Sequence, residues 1–326
     1  MDRTRLIFVL FLLGMLAACL PPASAPPPTD LETVTLTMGF RPDVQFAPMY
    51  MAVERGYAAD AGIDIEFNHL PETEAVQLVG VDELQFAIVS GEQVLLARAQ
   101  GLPIVYVMAW WQDFPVAVAA PESSGIERPE DLAGRRIGIP GLFGASYIGF
   151  RALLDAAGLD EQDITLDSIG YTQVEALSQG LDEAVVVYAN NEPVQLEELG
   201  IPVTVIEVAD FVHLASNGLI TNEKTLTEQP ELVRSVVSSL VGGIEASLAD
   251  PDGAFEVSKL YVEGLEESNT DVQREILERS LPFWQGQTIG YSDPEAWENM
   301  QSVLLQMDLL EEPTQLDEAF TNDFLP

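Results

Sequence analysis

Cysteine is almost absent from this 326-residue sequence, with Cys19 the only one. A lone thiol excludes an intrachain disulfide framework, a cysteine-rich zinc site and a cysteine redox pair. Histidine is nearly as scarce, represented by His69 and His213. Lysine occurs only at Lys224 and Lys259, and 14 Lys plus Arg stand against 53 Asp plus Glu, a formal net charge of −39. No basic cluster interrupts that acidity, so a nucleic-acid partner is excluded: phosphate-backbone binding works through clustered cations. A small anion would likewise approach against the overall field. Nucleophile-elbow, zinc-helix and dinucleotide-binding signatures are missing too. What remains is 47% hydrophobic and 21% charged residues, enough for a large buried core rather than a disordered chain.

The amino-terminal stretch reads as an address. Arg3 and Arg5 precede the apolar run Leu6 to Leu16, whose 11 residues are too few to span a bilayer but suit a secretory signal. The run ends in Leu16-Ala17-Ala18-Cys19, which resembles a bacterial lipobox, where the cysteine thiol takes a diacylglycerol and becomes the new N-terminus. Residues 1–18 are therefore expected to be a lipoprotein signal peptide, and Cys19 the lipid-attachment residue that holds the protein on the outer face of the cell membrane. Five prolines between Pro21 and Pro28 predict an extended spacer, so residues 19–32 are expected to be a tether.

From Thr33 onward, short apolar strands alternate with amphipathic helices. Val34–Met38 and Ile63–Phe67 alternate with the period of strands, and Pro48 opens a helical segment that runs through Tyr57. Leu84–Val89 and Ile104–Met108 read as buried strands with a short helix, Gln93 to Gln100, between them. Arg136–Ile139 and Ala184–Tyr188 are further strands. Phe150, Leu153, Leu154 and Ala157 form the stripe of a helix packed on a sheet, with Gly158 at its C-terminal cap. The longest helix predicted is Pro230 to Leu248, with Val233, Val236, Val237, Leu240 and Ile244 on one face. Such β-α-β-α order implies an α/β fold with mostly parallel sheet covered on both faces.

Three stretches carry candidate chemistry. The turn Gly141 to Ser146 joins a strand to a helix, where backbone N–H groups attract polar ligand oxygens; a tight turn with Ser146 as a helix cap fits the same residues. Trp110-Trp111-Gln112-Asp113-Phe114 ends an apolar strand, and because neighbours on a strand point to opposite faces, only part of it can line a pocket. Tyr188-Ala189-Asn190-Asn191-Glu192-Pro193 places two amides and a carboxylate just past a strand end, where ligands of open α/β sheets bind; an Asx-type turn is the simpler reading. His69, near Glu72 and Glu74, could hold a metal or act as a base but reads more simply as a solvated loop residue, and His213, in Phe211-Val212-His213-Leu214, as partly buried.

Taken in order, Gln45-Phe46-Ala47-Pro48, Arg55-Gly56-Tyr57, Ser90-Gly91-Glu92-Gln93, Leu95 to Gly101, Ser124-Gly125-Ile126, Asp131 to Gly138, Asn190 to Gln195 and Ile220 to Lys224 resemble the periplasmic-type solute-binding proteins of bacterial ABC importers. The likeness is to the branch with formylaminopyrimidine- and riboflavin-binding proteins, related to thiamine-pyrimidine synthases and more distantly to alkanesulfonate-binding proteins. It runs from about Thr33 to at least Pro251. The resemblance implies a two-lobed periplasmic-binding-protein fold of type II, with two mixed sheets flanked by helices and two hinge crossovers. Lobe one would be residues 33–119 plus 222–326 and lobe two 120–221, the crossovers falling near Ala119-Ala120 and Ile220-Thr221. It also implies that Gln45, Phe46, Glu92, Gln93, Trp111 and Phe114 meet the ligand from one lobe, and Gly144, Ser146, Tyr188, Asn191 and Glu192 from the other. Partners would be a membrane permease and its ATPase subunit, besides the small-molecule ligand.

Eukaryotic relatives that make the thiamine pyrimidine carry a cysteine-rich motif that a chain with Cys19 alone lacks, so a binding protein without catalytic residues, cofactor or metal is expected, with an enzyme acting on a similar pyrimidine as the rival reading. Acidity and few bases disfavour sulfonates and phosphates. Phe46, Trp110, Trp111, Phe114 and Tyr188 suit a neutral, planar, nitrogen-rich ring, riboflavin ahead of a formylaminopyrimidine.

Overall fold

A computed structural model describes residues 31–326. Its elements are strands β1 (Glu32–Met38), β2 (Ile63–His69), β3 (Phe86–Val89), β4 (Ile104–Ala109), β5 (Val116–Pro121), β6 (Arg136–Ile139), β7 (Thr165–Ser168), β8 (Ala184–Tyr188), β9 (Val203–Glu207) and β10 (Gly218–Asn222). The helices between the strands are α1 (Ala47–Glu54), α2 (Tyr57–Asp60), α3 (Glu72–Gly80), α4 (Gly91–Ala99), α5 (Gly144–Ala156), α6 (Gln173–Ser178) and α7 (Glu192–Glu198). After β10 come α8 (Glu223–Glu228), α9 (Pro230–Ala249), α10 (Pro251–Ser258), α11 (Thr270–Trp284), α12 (Pro294–Gln306) and α13 (Leu316–Ala319). The expected signal peptide, the expected lipid-attachment residue Cys19 and most of the expected tether lie outside the described residues. Glu32, expected in the tether, instead opens β1 and sits opposite Ile63.

The strands form two five-stranded sheets, ordered β2-β1-β3-β10-β4 and β7-β6-β8-β5-β9. Each has a parallel trio, β2-β1-β3 and β7-β6-β8, extended by one antiparallel strand, β10 in the first and β5 in the second. The edge strand β2 alternates buried Ile63 and Ile65 with exposed Asp64 and Glu66, whereas β3, β4 and the first four residues of β8 are wholly buried. That is the difference expected between a strand with one wet face and strands covered by helices on both.

The chain passes between the sheets in segments 110–115 and 211–217. The expected boundary at Ala119-Ala120 falls inside β5, which pairs wholly within the second sheet, and Ile220-Thr221 falls inside β10, which pairs within the first. Both crossings therefore come earlier than expected. A strand cannot change sheets halfway without forfeiting ladder hydrogen bonds, so the change occurs in the irregular chain before it. The two segments also bond to each other: Trp110 and Trp111 both donate their backbone N–H to the carbonyl of Asn217, at 3.0 Å each.

Helix α9 is long and apolar enough to cross a membrane, yet here most of it is buried as a core helix. Its Val233, Val236, Val237, Leu240 and Ile244 are all buried. A Cβ at Gly243 would lie 2.0 Å from the Pro48 carbonyl oxygen, so only glycine lets α9 close on α1. The C-terminal helices do not serve one sheet alone. Ser280 of α11 accepts a hydrogen bond at 2.9 Å from Asn190, which follows β8, and Arg279 reaches Glu197 of α7.

Candidate functional site

The loops after the parallel strands of both sheets converge on one cleft of about 560 Å³. This is where α/β sheets expose unpaired strand ends and helix N-termini, and where their ligands sit. From the first sheet come Phe40, Arg41 and Phe46 after β1, His69 at the end of β2, Glu72 at the start of α3, Gln93 on α4 and Trp110 after β4. From the second come Gly144 and Ser146 at the start of α5, Tyr171 after β7, and Tyr188, Asn191 and Glu192 around the end of β8. Asn217, in the returning crossover, also lines it.

Of the residues singled out from the sequence, Gln45, Phe46, Gln93, Gly144, Ser146, Tyr188, Asn191 and Glu192 are on the cleft wall, and Glu92, Trp111 and Phe114 are not. Trp111 is fully buried behind Tyr188, edge-on to it with ring centroids 6.2 Å apart, and packs on Phe283. Its neighbour Trp110 takes the wall position, because side chains leaving a strand alternate in direction and Trp110 is the one turned to the cleft. Phe114 packs under α5, so close that a Cβ on Gly149 would meet its ring at 2.5 Å. Glu92 lies beneath the wall with none of its surface exposed.

The wall has two textures. Phe46 and Trp110 are stacked on each other with centroids 5.2 Å apart and planes 28° apart, and only 3% and 2% of their surfaces are exposed. They form a rigid aromatic floor rather than two free faces. Open aromatic surface lies at the mouth instead: Phe143 and Tyr171 of the second sheet's loops are 70% and 72% exposed. Tyr171 meets Phe40 of the first sheet's loop at 5.9 Å. Phe40 and Tyr171 were not singled out from the sequence, because a lone aromatic between a strand and a helix has no local signature; Phe143 lies in the Gly141–Ser146 turn that was. Gly144 has φ +68, a left-handed conformation that glycine adopts without strain, and it turns the chain into α5. No side chain caps that helix, and Ser146 in its first turn lines the cleft instead of capping it. The free N–H groups of that turn offer donors to a ligand acceptor.

Polar groups are mostly acidic. Among the described residues Arg41 is the only arginine or lysine on the cleft wall. Glu192 accepts the Tyr188 backbone N–H at 2.9 Å, and burial pushes its carboxyl up to about 7. Asn191 accepts from the Gln195 amide at 2.8 Å. Burial and the charge of Glu92 push Glu72 up to about 8, and burial raises Glu92 as well. The Tyr188 hydroxyl is held well above its usual range by burial and by the carboxyls of Glu72 and Glu92. His69, expected in a solvated loop, ends β2, and its Nδ1 lies 2.6 Å from the Phe40 carbonyl. A carbonyl only accepts, so Nδ1 carries the hydrogen. His213 is away from the cleft, 3.5 Å from Asp293. Among the described residues no group of three or more His, Cys, Asp or Glu side chains could hold a metal ion.

The chain is 38% identical over 316 residues to a riboflavin-binding protein, RibY, of Chloroflexus aurantiacus, an alignment spanning 94% of this chain and 90% of that one. It is 27% identical to a formylaminopyrimidine-binding protein of Halalkalibacterium halodurans, with 99% of each chain covered. A 4-amino-5-hydroxymethyl-2-methylpyrimidine phosphate synthase of Legionella pneumophila is 24% identical, covering 90% of this chain and 92% of its own. Among solved structures, the periplasmic aliphatic sulphonate binding protein SsuA of Escherichia coli superposes with a TM-score of 0.73 at 14% identity, over 89% of this chain and 92% of that one. The fold is thus that of the periplasmic binding proteins, as the two sheets and paired crossovers indicate. Residues 43–254, from the loop that carries Gln45 and Phe46 into α10, match the NMT1/THI5-like family, and the chain belongs to it.

Proposed function

We propose that this protein is the extracytoplasmic substrate-binding lipoprotein of an ABC importer, held to the membrane through Cys19, and that it captures a neutral aromatic N-heterocycle, riboflavin first. The observation that carries the reading is the composition of the cleft. A stacked aromatic floor, open aromatic rings at the mouth and polar walls with a single guanidinium suit a flat uncharged ring far better than a phosphate or sulfonate. Its volume of about 560 Å³ is that of a small-molecule site. The 38% identity to a riboflavin-binding protein supports the same choice.

Residues 33–109 and 116–207 would serve as the cores of two lobes hinged at the bonded crossovers around Trp110 and Asn217. Closure follows if the ligand touches both sides at once, because it then favours the closed state by its differential affinity. The loaded, closed form is the one a permease and its ATPase subunit would accept.

Equimolar riboflavin should quench the tryptophan emission of the purified protein, since Trp110 lines the cleft, and co-purified flavin would colour it yellow. A formylaminopyrimidine that binds while riboflavin neither quenches nor competes would assign the protein to the second ligand. A synthase would instead convert its substrate, so turnover beyond one equivalent per chain would refute the binding-protein reading.

A further inference from the structure

Ser90 Oγ lies 2.7 Å from Glu72 Oε2 and 2.5 Å from Glu92 Oε1. A hydroxyl brings one hydrogen and an ionised carboxylate brings none, so two such contacts need a proton from one of the carboxyls. Glu92 is fully buried, with Oε1 also accepting from the Gln93 amide at 3.1 Å and Oε2 enclosed without a partner. A second carboxylate charge on this chain would be poorly screened by water, and among the described residues neither Glu72 nor Glu92 is ion-paired with a lysine or arginine.

Two further enclosed polar atoms belong to the cleft wall beside it. Trp110 Nε1, in a side chain 2% exposed, is a donor without an acceptor, and Asn217 Oδ1, in one 7% exposed, is an acceptor without a donor. The Asn217 amide nitrogen lies 3.4 Å from Glu72 Oε1, which ties this pair to the carboxyl chain. Buried polar atoms are normally paired, so an unpaired donor and an unpaired acceptor on two residues of one cleft wall point to ligand groups that would pair them.

We propose that Glu72, Ser90 and Glu92 hold a shared proton, and that Glu72, Trp110 and Asn217 together read the polar edge of a neutral heteroaromatic ring, one that presents an acceptor next to an N–H. This rests on the reading of the cleft as a ligand site and names the specificity device within it. Ionising the chain leaves an uncompensated negative charge on Glu72 beside the ligand's acceptor and repels it, so affinity falls as pH rises through the range where Glu72 loses its proton. Other titratable groups face the same space: Tyr188 and Glu192 from β8 and α7, Tyr171 from the loop after β7, Arg41 from the loop after β1, and His69 from β2, while the charge of Asp43 acts on Glu192. Glu192, pushed up to about 7, titrates close to Glu72 at about 8, so a variant of Glu192 is needed to tell the two apart.

The test is calorimetric titration of the full chain with riboflavin, from about pH 6 to about pH 9.5, in wild type, Glu72→Gln, Glu92→Gln and Glu192→Gln. The wild-type affinity should stay level and then drop by up to about tenfold per pH unit above the Glu72 value. Glu72→Gln and Glu92→Gln should lose that step, and Glu192→Gln should keep it. A level wild-type profile, a step surviving in Glu72→Gln, or one abolished by Glu192→Gln would overturn the proposal while leaving flavin binding intact. Failure of riboflavin to bind at any pH would fail the ligand assignment instead. The shared proton is then decided without ligand: infrared spectra should show a protonated carboxyl carbonyl band that fades between those pH limits and is missing from both glutamate variants. Absence of that band from the wild type would overturn it.

Discussion

The two sides of the cleft are built to different standards. The first sheet's side is dry and braced: Phe46 and Trp110 stack on each other, and Glu92 lies hydrogen-bonded beneath the surface. The second sheet's side is open, with Phe143 and Tyr171 largely in solvent and an uncapped α5 facing the gap. A braced face loses little entropy when a ligand arrives, while an open one gains most of its contacts at that moment. The difference suits a receptor in which one half holds the ligand and the other closes over it.

That contrast can be broken. Trp110→Ala removes a ring packed on Phe46, Trp111 and Trp284, so it should cost about 3–5 kcal/mol of stability in a denaturant titration. If it instead left stability unchanged and only weakened binding, the floor would not be braced. Tyr188→Ala comes next. Tyr188 lies on the cleft wall against Trp111 whereas His213 lies elsewhere, so riboflavin affinity should fall at least about tenfold in Tyr188→Ala, about 1.4 kcal/mol, and stay within about twofold in His213→Ala. Equal losses by calorimetry would mean that the site is misplaced. Smallest is Tyr171→Ala, where a ring 72% exposed is lost: stability should change by no more than about 0.5 kcal/mol while affinity drops a few-fold. A stability loss as large as that of Trp110→Ala would erase the distinction between the two sides.

Parts of this arrangement were legible in the residue order. Period-two and period-3.6 patterns located β1, β2, β6, β8 and α9 within a few residues, because each buries one face or both against a neighbouring layer. The wall positions Gly144, Ser146, Asn191 and Glu192 were also within reach, since they sit directly after strand ends. The choice between Trp110 and Trp111 was not: alternation says that they diverge but not which one faces the gap. Strands β7 and β9 gave little signal, being short and only half-buried. Glu72 and Ser90 stand 18 positions apart, and only the packing of α3 against the end of β3 brings the hydroxyl to the carboxyl.

By itself, the order of residues determined the layered α/β architecture, a strongly acidic surface charge that disfavours polyanions, and the strand ends at which a ligand can sit. Those properties depend on hydrophobic period, charge count and turn chemistry, all of which act locally or simply add up. Where the chain changes sheets, which indole faces the cleft, and the pairing of two acids through one hydroxyl were decided by tertiary structure alone. Each of these depends on distances between groups far apart in the chain, and no local pattern encodes such a distance.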